Sequence, residues 1–99
     1  DLIAVAGEAA ELLFDDANFR VTEISLGPGE SLPQHQGVNR VIYALSDYTI
    51  RYMSEGSEVT EKSFSKGEAH WHEGCQHALE NTGATPARFL VVAFKNGNG

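Results

Sequence analysis

The sequence predicts an all-β domain, an antiparallel sandwich or barrel, and three observations indicate it. Short segments in which apolar and polar residues alternate recur along the chain. Clusters of Gly, Pro, Ser, Asn and Asp separate these segments at a spacing of roughly 8–12 residues. Only one window, Gly7 to Phe14, carries a helix-like pattern. We therefore expect many short strands and at most one or two helical turns.

The first two segments differ in how clearly they can be assigned. The window Gly7 to Phe14, "GEAAELLF", fits a short helix and fits equally a strand that pairs at the barrel edge, and both interpretations stay open. Phe19 to Leu26 alternates strictly, with Thr22 and Ile24 on one side, and this predicts a strand with one face in water. The cluster "GPGESLP", from Gly27 to Pro33, predicts a turn.

The remaining segments are all predicted to be strands. Tyr48, Ile50 and Tyr52 share one face of theirs, and turns are expected around 46–48, 54–58, 73–76 and 81–86. The predicted strands are Val38 to Leu45, Tyr48 to Tyr52, Val59 to Phe64, a short histidine strand after "SKGE", His77 to Asn81, and Ala87 to Phe94. We expect a single domain over 1–99, with its core at about 19–95 and a frayed tail at 96–99.

Composition excludes several classes of partner. The formal net charge of −7 is the wrong sign for binding nucleic acid or an anionic membrane surface. No apolar run approaches the ~20 residues of a membrane-spanning helix. The single cysteine, Cys75, excludes an intrachain disulfide and a cysteine-rich zinc site, and we expect a cytoplasmic protein.

Histidine is concentrated in the segment "GEAHWHEGCQHALENTG", which holds three of the four histidines of the chain. His70 and His72 are two residues apart on a predicted strand, so both point to one face and Trp71 to the other. Neutral imidazoles are the usual metal ligands in a cysteine-poor protein, but a stable site needs at least three converging ligands. The turn before His77 breaks the alternation, so spacing alone leaves its direction open.

The order of these segments resembles the small single-domain cupins from about Phe19 to Phe94. Cupins carry a first motif, G-x5-H-x-H-x(3,4)-E-x6-G, and a second, G-x5-P-x-G-x2-H-x3-N. His77 and Asn81 keep the H-x3-N spacing of the second motif. Counted from Gly67, Glu73 stands at the Pro position and Cys75 at the later Gly position, and His77 lies one residue before the histidine position.

The first motif is matched less completely. Gly29 and His35 stand at its start, whereas Gly37 replaces the second histidine. Arg40 and Val41 stand next to and at the glutamate position, where the chain has no glutamate. The resemblance implies a jelly roll (double-stranded β-helix) of six to eight strands, commonly dimeric, with an internal pocket. It also implies that His35 and His77 are metal ligands, two of the four that metal-binding cupins use.

Three functions are compatible with these residues. The first is a metal-dependent cupin, either a dioxygenase- or isomerase-type enzyme or a protein that binds metal without turnover. In it His35, His72 and His77 hold one divalent ion (Fe, Mn, Ni, Zn or Cu). The second is a metal-free module that binds a sugar or an organic acid in a pocket lined by His70, Arg40, Tyr43 and Asn81. The third is metal-free acid–base catalysis by His35 or His77.

Arg40 separates the first two functions. A guanidinium that enters the barrel would repel a dication and bind a carboxylate or phosphate, whereas one that points outward is an ordinary surface charge. The predicted partners are a small molecule and a second copy of the chain, in a homodimer through the outer face of one sheet. The catalytic residues and the substrate stay open at this point.

Overall fold

The computed structural model describes residues 7–36, 39–53, 59–72 and 76–95; the side chains of 34–36 and of 76 and 77 lie outside that description. This part of the chain contains one 3-10 turn, Gly7–Ala9, and nine strands. The strands are β1 (Ala10–Asp15), β2 (Phe19–Leu26), β3 (Ser31–Gln36), β4 (Arg40–Ala44), β5 (Tyr48–Met53), β6 (Thr60–Phe64), β7 (Ala69–His72), β8 (Gln76–Asn81) and β9 (Ala87–Phe94). The predicted tail at 96–99 and the predicted turn at 54–58 lie outside the described residues.

The strands form two antiparallel sheets that face each other. One sheet has five strands in the order β1-β2-β9-β4-β7, and the other has four in the order β3-β8-β5-β6. Most neighbours within a sheet are distant in sequence, as in β2 and β9, which pair in full register from Phe19↔Phe94 to Leu26↔Ala87. The predicted all-β jelly-roll class is confirmed. No helix in the described part has the length and apolar composition of a membrane span.

The core lies between the inner faces of the two sheets. Strand alternation supplies it, because every second side chain of a strand points the same way. Thr22, Ile24 and Leu26 of β2 are buried, on the side that the sequence pattern predicted. The apolar core residues are Ile24, Leu26, Leu32, Ile42, Ala44, Tyr48, Ile50, Leu79, Ala87, Phe89 and Val91.

The N-terminal segment, for which the sequence left a helix and a strand open, forms a 3-10 turn followed by the edge strand β1. After the 3-10 turn, β1 pairs antiparallel with β2, and an irregularity between Leu12 and Phe14 shifts the register. Nearly all residues of β1 are exposed, including Leu12, Leu13 and Phe14 at 47%, 47% and 51%. Backbone pairing with β2, rather than burial of an apolar helical face, therefore determines the conformation of this segment.

The segment predicted as one long turn contains β3. The turn itself is confined to 27–30, where Gly29 adopts φ 83°, and the strand begins at Ser31. Pro33 is tolerated because β3 lies at the edge of its sheet and its register shifts between Leu32 and His35. The sequence prediction extended the turn too far, because two glycines and two prolines lie within seven residues. Three of these four residues precede the strand, and only Pro33 lies within it.

Asn81, the last residue of β8, joins this turn to the loop that follows. Its side chain is completely buried and its Nδ2 donates to the carbonyls of Leu26 and Thr85, both at 2.9 Å. Its Oδ1 accepts from the Gly83 amide at 3.0 Å. The amide group of Asn81 thus satisfies three backbone groups near one end of the barrel.

We expect Asn81→Ala to lower the free energy of unfolding by about 2–4 kcal/mol, because buried backbone groups lose their partners. Chemical denaturation measures this change. Thr82→Ala is the matched control: its hydroxyl donates to the exposed Glu61 at 2.7 Å, so its removal should cost under about 1 kcal/mol. Equal losses in the two variants would contradict a structural role for Asn81.

Candidate functional site

The candidate site lies on the inner face where β4 pairs with β7. The register places Arg40 opposite His72 and Ile42 opposite His70. Burial alternates along β7, with Trp71 exposed and both histidines partly buried. The prediction that His70 and His72 share one face, with Trp71 on the other, is confirmed.

Aromatic rings connect this face to the opposite sheet. His70 stacks on Phe64 of β6, with ring centroids 4.3 Å apart and planes 9° from parallel. His72 lies 5.4 Å from the Tyr52 ring of β5 and 4.7 Å from His70, edge to face. Phe64 and Tyr52 were not among the predicted site residues. Strand alternation predicts which face of a strand a side chain lies on, but it does not predict which residues of the opposite sheet that side chain contacts.

His70 is partly buried, and both of its ring nitrogens are completely buried. Neither Nδ1 nor Nε2 has a hydrogen-bond partner among the residues that the structure describes. Burial lowers the pKa of His70, Lys62 and Arg40 lower it further, and Glu68 opposes them. His70 is therefore neutral at physiological pH, with both ring nitrogens inside the barrel.

Arg40 is buried, with 7% of its surface exposed. Its guanidinium stays protonated at any working pH, so the inner face carries a permanent positive charge. Burial raises the pKa of Tyr52 to about 12, and the nearby Arg40 charge acts in the opposite direction. The Arg40 side chain therefore points into the barrel, which is one of the two directions that the sequence left open.

His35 and His77 are direct register partners in the β3–β8 pair. The two side chains lie outside the described set, as do Gly37 and Cys75, so their part in the predicted metal site stays a prediction.

Tyr43 and Asn81 do not join the predicted ligand pocket. Tyr43 is 40% exposed on the outer face, because it is three residues from Arg40 on the same strand and so points the opposite way. Both amide hydrogens of Asn81 are used by backbone carbonyls. The structure does not bring these two side chains together with Arg40, and their contact with a ligand stays a prediction.

The described donors do not by themselves form a metal centre. No group of three His, Cys, Asp or Glu side chains converges among the residues whose side chains are described. The two imidazoles that do meet, His70 and His72, lie beside a buried guanidinium, which disfavours a dication. A site of three ligands would need His35 or His77 as well.

Comparison with solved structures identifies the fold. No protein-family model and no curated protein matches the chain. A cupin domain from Bordetella pertussis Tohama I superposes with a TM-score of 0.81 at 18% identity, covering 87% of this chain and 91% of that one. An RmlC-like cupin with a double-stranded β-helix fold from Methanocaldococcus jannaschii gives a TM-score of 0.71 at 19% identity, covering 91% and 84%.

An enzyme is also among the similar structures. The polyketide cyclase RemF from Streptomyces resistomycificus has a TM-score of 0.66 and 26% identity, over 87% of this chain and 63% of its own length. The chain therefore has the cupin fold, as its motifs implied. At these identities the similarity establishes the architecture rather than an activity.

The unpartnered nitrogens of His70 give a testable stability prediction. His70→Phe should leave the free energy of unfolding unchanged or raise it by up to about 1 kcal/mol, because a stacked ring is kept and two buried polar atoms are removed. His70→Ala, which leaves a cavity beside Phe64, should lose about 2–4 kcal/mol. Chemical denaturation measures both.

His70→Phe should also change how the free energy of unfolding depends on pH. The pKa of His70 is lower in the folded state than in the unfolded chain, so stability falls as pH drops below the unfolded value of about 6.5. In His70→Phe this part of the acid sensitivity should disappear. If the variant and the wild type lose stability in parallel over that range, His70 is not a buried neutral imidazole.

Proposed function

We propose that the protein binds a small organic anion inside the barrel, through the guanidinium of Arg40. The observation that carries the proposal is the burial of Arg40 on the inner face, directly opposite His72. A buried guanidinium is a charged hydrogen-bond donor in a low-dielectric environment, where its attraction to an anionic group is stronger than in water. A carboxylate matches the planar guanidinium in two parallel hydrogen bonds.

The surroundings of Arg40 favour a flat, partly apolar ligand. Tyr52, Phe64, His70 and His72 form a wall of rings in mutual contact. Such rings bind planar conjugated molecules by stacking and edge contacts. The neutral nitrogens of His70 and the Tyr52 hydroxyl add uncharged polar groups that can orient the ligand. An aromatic carboxylate satisfies both the charge and the shape.

RemF supports the choice of aromatic, oxygen-rich probes. It is described as a polyketide cyclase and shares 26% identity with this chain. Because the chain spans 63% of RemF, we do not transfer the cyclase reaction to it. What we take from the similarity is the class of molecule to test, conjugated compounds with carbonyl or carboxylate oxygens.

Titration with benzoate tests the proposal, with benzamide as the uncharged matched ligand. We expect benzoate, and not benzamide, to shift amide resonances of β4 and β7 in NMR spectra. Arg40→Lys keeps the charge but loses the planar fork and should weaken binding about 10-fold; Arg40→Gln should weaken it about 100-fold. Arg51→Gln is the control, since Arg51 lies on the outer face and pairs with Glu80 at 3.6 Å. Equal binding of the two ligands, or no dependence on Arg40, would overturn the proposal.

Metal binding is the second candidate function, and one observation favours it. The backbones of His35 and His77 are register partners in the β3–β8 pair. In this case His35, His72 and His77 would hold a divalent ion, as the sequence predicts, and the ion would polarise a bound oxygen group. The nearby charge of Arg40 opposes it.

Elemental analysis of protein purified without a histidine tag separates the two candidates. If the interior binds an organic anion through Arg40, we expect well under one equivalent of Fe, Mn, Ni, Zn or Cu. A stoichiometric metal that is lost in His77→Ala, and retained in the surface variant Arg51→Gln, would establish the metal site instead. This measurement needs no substrate.

A further inference from the structure

The inner face of the β4–β7 pair has two levels. Arg40 and His72 are register partners at the first level, and Ile42 and His70 are register partners at the second. The first level lies where β4 begins and β7 ends. Two residues along the strands separate the levels, which is a distance of about 7 Å. The buried charge and the His70 ring therefore stand side by side along the strand direction, at separate places on one face.

The two levels differ in polarity. At the first level His72 contacts the phenol ring of Tyr52, 5.4 Å between centroids, beside the guanidinium. At the second level the register partner of His70 is Ile42, which is buried. The ring stacked on His70 is that of Phe64, 4.3 Å between centroids. The imidazole of His70 is thus set between two apolar side chains.

Both ring nitrogens of His70 are completely buried, and neither has a hydrogen-bond partner among the residues that the structure describes. A neutral imidazole carries one N–H donor and one acceptor nitrogen. Buried polar atoms normally have a partner, so an unpartnered pair on a candidate binding face calls for one. A hydroxyl group suits either nitrogen, because it donates to the acceptor and accepts from the N–H.

We infer that His70 binds a hydroxyl group of the ligand, and that the preferred ligand is an aromatic carboxylate with a hydroxyl across the ring from its carboxylate. This rests on the proposed function, in which Arg40 binds the carboxylate. A flat acid that lies along the strand direction then places the far side of its ring at the second level. A hydroxyl next to the carboxylate would stay at the first level, out of reach of His70.

Three acids test this arrangement: benzoate, 4-hydroxybenzoate and 2-hydroxybenzoate. All three are carboxylates at neutral pH, and they differ in whether a hydroxyl is present and where it stands on the ring. We expect 4-hydroxybenzoate to bind about 10-fold more tightly than benzoate, because its hydroxyl satisfies a buried polar atom that benzoate leaves unpaired. The 2-hydroxy isomer should bind no more tightly than benzoate. Isothermal titration calorimetry measures the three dissociation constants.

A variant pair assigns the preference to His70. His70→Phe keeps a ring against Phe64 and removes both nitrogens, so the ratio of the benzoate to the 4-hydroxybenzoate dissociation constant should fall from about 10 to about 1. Arg51→Gln, which changes an outer-face residue paired with Glu80, is the control and should keep the ratio. The ratio is taken within each variant, so a general loss of affinity does not imitate the result. Circular dichroism checks that both fold.

The ring nitrogens of His70 also report the hydrogen bond in the unmodified protein. Their ¹⁵N resonances can be assigned through the contact of the imidazole with Phe64. We expect 4-hydroxybenzoate to shift them and benzoate to leave them nearly unchanged, because only the former brings a hydrogen-bonding group to the second level. A merely structural His70 would respond to the two acids alike.

The outcomes separate this subsite from the proposed function. Benzoate that does not bind, or that binds without dependence on Arg40, would overturn the proposed function and the hydroxyl subsite with it. Benzoate bound through Arg40 without a preference for 4-hydroxybenzoate would overturn the hydroxyl subsite alone. So would tighter binding of the 2-hydroxy isomer, or a preference that survives in His70→Phe.

Discussion

The candidate site depends on one constraint, the register of β4 between its neighbours β9 and β7. Arg40, Ile42 and Ala44 face inward from this strand, and Val41 and Tyr43 face outward. Because side chains alternate with a period of two, a slip of one residue would carry the Arg40 charge to the outer face and bring Tyr43 inside. The core residues Ile42 and Ala44 prevent this slip, so the same apolar packing that stabilises the barrel also orients the buried cation.

The interior shows how a small barrel accommodates polarity. Each of three buried polar groups has a different environment. Asn81 is saturated by backbone groups, and Thr22 lies on the inner face of β2. Among the side chains that the structure describes, a guanidinium, two imidazoles and a phenol come together only at the β4–β7 end. Polar groups cost stability in a core of this size, so their concentration at one end is typical of a binding site rather than of packing.

Much of the architecture could be predicted, because it depends on local alternation. Ala87–Phe94 and Phe19–Leu26 are strands over the predicted ranges. β3 was missed because its edge position, which makes Pro33 acceptable, is a property of the whole sheet. Tyr43 illustrates what residue spacing can decide: three residues separate it from Arg40, so the two side chains point to opposite faces of β4. The direction of Arg40 and the stacking of His70 on Phe64 depend on how the two sheets face each other, which no local pattern specifies.

The exposure of β1 on both of its faces has a consequence for its dynamics. The strand adds little to the core, and it is held by the β2 ladder and by ion pairs of Asp15 with Arg20 and Lys95. Segments with few buried contacts open at a free energy far below that of global unfolding. β1 should therefore exchange its amide hydrogens well before the rest of its sheet, leaving β2 as a transient edge while the barrel stays closed.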